Sequence, residues 1–216
     1  MSLSRETIER LAQHLERCEL EFRETALVTN EYPQMDWDDA NGIQDEIRRR
    51  KIAVGARIVG FKVGQTSRAK MRQMGVETPV FGFLADYFSV PDGGEIDTSS
   101  LIHPRIEPEI AFVTKAPLSG PGCDIGAVLA ATDFVIPALE IIDSRYRDFK
   151  FDLKSVVADN CSASRFVIGG RMGHAAELDL ANTGVVLEKM ASQLPSVLVR
   201  RYSATPPPRW RCWSTY

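Results

Sequence analysis

One stretch, TDFVIPALEIIDSRY at residues 132–146, constrains the fold more than any other. Between Phe134 and Ile142 almost every side chain is apolar, so the segment predicts a strand buried on both faces. Glu140 stands inside that run. A buried, isolated carboxylate loses its hydration, so this one must be protonated, paired or bound to a metal. Arg105 and Arg145 are both candidates for the pairing.

A second acidic anomaly lies upstream, in HPRIEPEIAFV at 103–113. Residues two apart on a strand share a face, so Ile106, Pro108 and Ile110 take one side and Glu107, Glu109 and Ala111 the other. If the glutamate face is wet, the pair is the ordinary exposed side of an antiparallel sheet. If it is buried, the like charges repel and need a cation between them. With Glu140 this makes a set of oxygen-only ligands, which suits a hard divalent cation such as Mg²⁺ or Mn²⁺.

The rest of the chain divides by pattern. Ile8, Leu11, Leu15 and Leu20 recur at helical spacing behind Ser4, a candidate N-cap, with Glu6 in the first turn. A second helix is predicted over 36–53 with Ile43, Ile47 and Ile52 as its apolar positions, and a short one over 67–75 stopped by Gly75. RIVGFKVG at 57–64 is short, β-rich and punctuated by glycine. Further strands are predicted at 79–83, 109–114, 134–142, 164–168 and 185–188, with turns at PDGG and LSGPG and a helix near 124–131. The domain reading is a helical region over 1–75, a mixed-β core over 76–189 and an aberrant tail over 190–216.

Composition excludes several classes. A net charge of −3 over 216 residues gives no electrostatic reason for a nucleic-acid or anionic-membrane partner. No apolar run approaches a membrane span, the N-terminus is too charged for a signal peptide, and the four cysteines form no CxxC pair. A cytoplasmic enzyme is the expectation. His103 and His174 are assigned no role, and Cys161 has no identifiable base beside it. The polar run Asp159-Asn160-Cys161-Ser162 either lines a site or is turn chemistry.

GFKVG (60–64), FGFLADYF (81–88), RIEPEIAF (105–112), ATDFVIPALEIIDSRY (131–146) and FKFDLKSVVADNCSASRFVIGG (149–170) occur in one order at one spacing. Together they resemble the hydratase/decarboxylase branch of the fumarylacetoacetate hydrolase superfamily, enzymes of meta-cleavage aromatic catabolism, over residues 5–189. VETPVFGFLADYFSVPDGG, VTKAPLSGPGC and DSRYRDFKFDL favour its decarboxylases over its hydratases. The resemblance implies an α+β fold, a helical N-terminal part followed by a mixed β-sandwich roll of that superfamily's C-terminal type. It implies Glu107, Glu109 and Glu140 as ligands of Mg²⁺ or Mn²⁺, and Lys62 and Asp86 as catalytic residues, with Asp86 orienting Lys62. Read alone, Lys62 is a strand-end surface lysine and Asp86 a turn residue. The implied reaction is decarboxylation of 2-oxo-3-hexenedioate by a homo-oligomer able to associate with the pathway hydratase. A hydratase of 2-hydroxypenta-2,4-dienoate and a non-catalytic partner subunit are the alternatives.

The tail MASQLPSVLVRRYSATPPPRWRCWSTY has no strand or helix period. As written it is a disordered or partner-binding extension, with basic and aromatic residues interleaved as in nucleic-acid contacts. Back-translated with GC-rich wobble bases and shifted by one frame, Pro195 to Thr215 reads VGAGAAVLGHPATAVAMLVN. Members of the family carry a GAGAAVLGHP segment after LEKNG, and this chain has LEK at 187–189. The expectation is a frameshift near residue 190 that leaves the core without its last strands.

Overall fold

The computed structural model describes residues 2–66, 71–72, 77–180, 182–184, 188–189, 192–193 and 211–212. Helix α1 spans Arg5–Leu20; Ser4 Oγ accepts the Thr7 N–H and Glu6 sits in the first turn. After a single turn of helix, α2 (Val28–Glu31), helix α3 spans Trp37–Ala53. Its N-terminus is a reciprocal capping box: Asp36 takes the Asp39 N–H and Asp39 takes the Asp36 N–H, satisfying donors that a bare helix end leaves open. Leu11, Ala12 and Leu15 of α1 join Ala40, Ile43 and Ile47 of α3 in one apolar cluster. Each leucine or isoleucine among them contributes about 1.5–3 kcal/mol on burial. Leu20 and Ile52, both expected on the apolar stripes, are 60% and 50% exposed. Each lies five residues beyond the last stripe residue, which turns it off the packed face.

The packing divides into two units. The first comprises Met1–Gly64, Val80–Glu107 and Glu140–Val167; the second Gln65–Pro79, Pro108–Leu139 and Ile168–Tyr216. In the first, β1 (Ile58–Gly64) pairs antiparallel with β2 (Val80–Ala85), and the register sets Lys62 opposite Gly82 and Ile58 opposite Ala85. β3 (Ser89–Val90) pairs parallel with β7 (Ala163–Ile168). A six-residue helix, called α5 here (Leu153–Ala158), precedes β7; Asp152 caps it by accepting the Ser155 N–H. The sheet order is β3-β7-β6-β4, where β4 is Pro104–Thr114 and β6 is Thr132–Asp143. The second unit carries β5 (Gly120–Pro121) and α4 (Ile125–Ala131), whose cap is Asp124.

The fold is therefore mixed helix and sheet, with open rather than closed sheets among the described residues. Most of the 185–188 strand and of the 67–75 helix lies outside the described residues, although Glu188 is in a short strand, Glu188–Lys189, and Met71 and Arg72 are helical. So does the frameshift reading of 190–216, where Ser192–Gln193 and Arg211–Cys212 alone are described as short paired strands. No helix among the described residues is long and apolar enough to cross a membrane.

Candidate metal and active site

On strand β4 the glutamates are no more exposed than their apolar neighbours. Ile106 is 53% exposed, whereas Glu107 and Glu109 are half-buried. Glu140, on β6, is buried. One carboxylate oxygen from each of Glu107, Glu109 and Glu140 lies within 4.8 Å of the others. Two ligands of one magnesium ion, at about 2.1 Å each, can be at most about 4.2 Å apart, and a calcium ion at about 2.4 Å tolerates about 4.8 Å. The donor set fits a hard divalent cation after at most a small contraction.

Lys62, on β1, supplies the positive group. Its Nζ lies 3.2 Å from Glu140 Oε2, with both side chains nearly sealed from solvent, and donates to the Cys161 carbonyl at 3.1 Å. Burial alone pulls the Lys62 ammonium down, but the charge of Glu140, reinforced by Glu107, outweighs it and holds the group above the ordinary lysine value. The sequence offered Arg105 and Arg145 as partners for Glu140. Instead Arg105 lies 3.7 Å over the Phe149 ring. Arg145 is buried against Asp159, bonding its side chain and carbonyl, and donates to the Asp143 carbonyl at 2.7 Å and the Ala163 carbonyl at 3.1 Å.

Asp86 is placed elsewhere. It follows Ala85, opposite Ile58 rather than Lys62, and takes the Arg57 backbone N–H at 3.2 Å and Nε at 3.0 Å. The Arg57 side-chain hydrogen bond leads the contacts that hold its carboxyl below the usual aspartate range. Lys62 is oriented by Glu140 and by Cys161, not by Asp86.

Two contributors were poorly legible in the sequence. Asp143 accepts the backbone N–H of Ile102 and His103, fixing the entry of β4 just before its glutamates. The run Asp159–Ser162 is a built turn: Asp159 holds Arg145, and Asn160, Cys161 and Ser162 all have φ near +50°. Consecutive polar residues inside an otherwise apolar segment were its one signal. Burial pushes the Cys161 thiol up to about 12, which disfavours the thiolate, and Sγ donates to the Phe81 carbonyl at 3.0 Å.

Comparison with known proteins gives this geometry a context. No protein-family model matches the chain. It is 63% identical over 188 residues to 4-oxalocrotonate decarboxylase of Pseudomonas sp. (strain CF600), covering 87% of this chain and 71% of the relative. The chain belongs to the 4-oxalocrotonate decarboxylase family. More distantly, it is 40% identical over 184 residues to the 2-hydroxyhexa-2,4-dienoate hydratase of Comamonas testosteroni, covering 84% of this chain and 70% of that one. The fold superposes on 4-oxalocrotonate decarboxylase from Pseudomonas putida G7, complexed with magnesium and adipate. The TM-score is 0.86 at 59% identity, over 89% of this chain and 73% of that one. A second structure of that enzyme, with calcium and acetate, gives 0.84 at 58% over the same shares.

Proposed function

We propose that this chain decarboxylates 4-oxalocrotonate (2-oxo-3-hexenedioate) to 2-hydroxypenta-2,4-dienoate, in meta-cleavage catabolism of aromatic compounds, using Mg²⁺ or Mn²⁺ held by Glu107, Glu109 and Glu140. The observation that carries the reading is the 63% identity to a 4-oxalocrotonate decarboxylase, against 40% to a hydratase. In the reaction the C5–C6 bond breaks and carbon dioxide leaves. The electron pair passes from C5 through the C3=C4 bond to the 2-oxo oxygen, which ends as the hydroxyl of the dienoate after taking a proton. A divalent cation at the carboxylates supplies Lewis acidity toward the 2-oxo acid end of the substrate.

The chain's own groups set the stage for that charge. An ammonium has three N–H donors. Lys62 directs one at Glu140 and one at the Cys161 carbonyl, and no third acceptor is found among the described residues, which leaves a donor for the oxygen on which negative charge develops. Asp86 is proposed as catalytic on the FLADYF resemblance alone, since its carboxylate is engaged with Arg57 here. The same resemblance supports the superfamily's β-sandwich roll, a homo-oligomer and association with the pathway hydratase; a cytoplasmic location is proposed from the composition alone.

The test offers the chain both substrates in the presence of Mg²⁺. Carbon dioxide from the six-carbon diacid, without hydration of the dienoate, is the expected result. A 4-hydroxy-2-oxo acid formed from the dienoate, without carbon dioxide from the diacid, would assign it to the hydratases instead.

A further inference from the structure

The turn at Asn160–Ser162 is clamped to β2 at both residues that flank Gly82. Asn160 Oδ1 accepts the Phe83 N–H at 2.8 Å and Nδ2 donates to the Phe83 carbonyl at 3.0 Å, so one side-chain amide satisfies both backbone groups of one residue. Cys161 Sγ donates to the Phe81 carbonyl at 3.0 Å. Between them, a Cβ on Gly82 would stand 2.7 Å from the Asn160 carbonyl oxygen, closer than real atoms approach. Gly82 is the residue paired across the ladder with Lys62.

The backbone of this turn is in a state that non-glycine residues seldom adopt. Asn160, Cys161 and Ser162 have φ of 48°, 50° and 58°. Asparagine tolerates this region better than most, but three in a row persist only when surrounding contacts over-determine them. Strain held this way at a functional site has a product here. It turns the Cys161 carbonyl toward Lys62 Nζ, at 3.1 Å, on the lysine whose ammonium also meets Glu140.

We propose that Asn160 is a positioning residue for the decarboxylation: by locking the left-handed turn onto β2 against Gly82, it holds the Cys161 carbonyl where it aims the Lys62 ammonium at the reacting oxygen. The inference rests on the assignment of Lys62 to the reaction. It assigns the amide of Asn160 no contact with substrate or metal. A long, flexible lysine left with Glu140 as its one anchor would sample several orientations, and small misplacements of a catalytic group lower turnover by up to about 10²-fold.

The experiment compares the full chain with Asn160→Ala, Asn160→Asp and Lys62→Ala. Asn160→Asp keeps the acceptor for the Phe83 N–H, loses the donor to the Phe83 carbonyl and adds a buried negative charge there; it is the second variant if the alanine variant does not fold. Three quantities are read: kcat and KM on 4-oxalocrotonate, Mg²⁺ affinity, and the acylation rate of individual lysines by an N-hydroxysuccinimide ester, mapped by mass spectrometry. Lys51, buried in a separate ion pair with Glu19, is the internal control for global loosening. The expected result is a kcat lowered about 10-fold to 10²-fold with KM and Mg²⁺ affinity within about threefold. Lys62 should acylate faster and Lys51 should not. Faster acylation of both lysines together, unchanged protection of Lys62, or an unchanged kcat would each overturn the proposal. If Lys62→Ala itself leaves turnover intact, the assignment of Lys62 has failed; the acylation pattern still reports whether Asn160 holds the lysine.

Discussion

Arg145→Met removes a buried cation whose contacts are all internal. Arg145 and Asp159 are 2% and 1% exposed. The substitution deletes the guanidinium bonds to the Asp159 carboxylate and carbonyl and to the carbonyls of Asp143 and Ala163. Methionine fills much of the volume, so cavity formation contributes little and the dominant effect is an uncompensated buried carboxylate. Removing one member of a buried pair costs about 3–5 kcal/mol. At roughly 2–4 °C per kcal/mol for a chain of this size, the midpoint should fall by about 10 °C. Pairing the change with Asp159→Leu should recover part of the loss, because no charge is then left buried. The three carbonyls remain without their donor, so recovery is incomplete.

The pH dependence provides an independent check on the same perturbation. Burial pushes the Asp159 carboxyl up to about 6 even against the attraction of Arg145. Deleting Arg145 removes the main force lowering it, so the folded-state value rises further. A carboxyl whose folded pKa exceeds its unfolded value binds more protons when folded, and its contribution to stability grows as pH falls through that window. The deficit of Arg145→Met, measured by urea unfolding, is therefore largest at pH 8 and shrinks toward pH 5. A loss below about 1 kcal/mol, the scale of a surface pair, would refute the reasoning. So would a deficit that grows on acidification.

Glu140→Gln replaces a charged oxygen ligand with a poorer neutral one and leaves Lys62 without its carboxylate; it should abolish Mg²⁺ binding in calorimetry together with turnover. Lys62→Ala should lower turnover without weakening Mg²⁺ binding, since it removes a positive charge near the cation; loss of metal with turnover kept would reverse its role. Ile43→Ala, at a fully buried position between α1 and α3, should destabilise by about 2–5 kcal/mol in denaturant unfolding. Asp36→Ala, which opens the capping box of α3, should cost about 1 kcal/mol in the same assay.

Local chemistry made the helices legible. Ser4 caps α1 as its position suggests, and α3 begins at Trp37 behind Asp36, one residue from the expected boundary. The strands were legible in position but not in length. β4 begins at Pro104 rather than 109, because Pro108 and the glutamates interrupt the apolar run from which a strand is read. Two glutamates two residues apart and a third far along the chain pointed to one carboxylate cluster, and their oxygens come within 4.8 Å. The lysine's partner was not legible: periodicity shows which face a residue takes, not which cation reaches it. The left-handed turn at Asn160–Ser162 was hidden for a related reason. None of its residues is glycine, so its backbone is fixed by contacts to Phe81 and Phe83 almost eighty positions away.

The most direct test of the central claim is carbon dioxide release from 4-oxalocrotonate by the full chain and by Glu107→Gln, each with Mg²⁺ and after chelation. Release by the unaltered chain should vanish on chelation, return with Mg²⁺ and be absent from Glu107→Gln throughout. Release that survives chelation, or that Glu107→Gln performs as well as the unaltered chain, would contradict that claim.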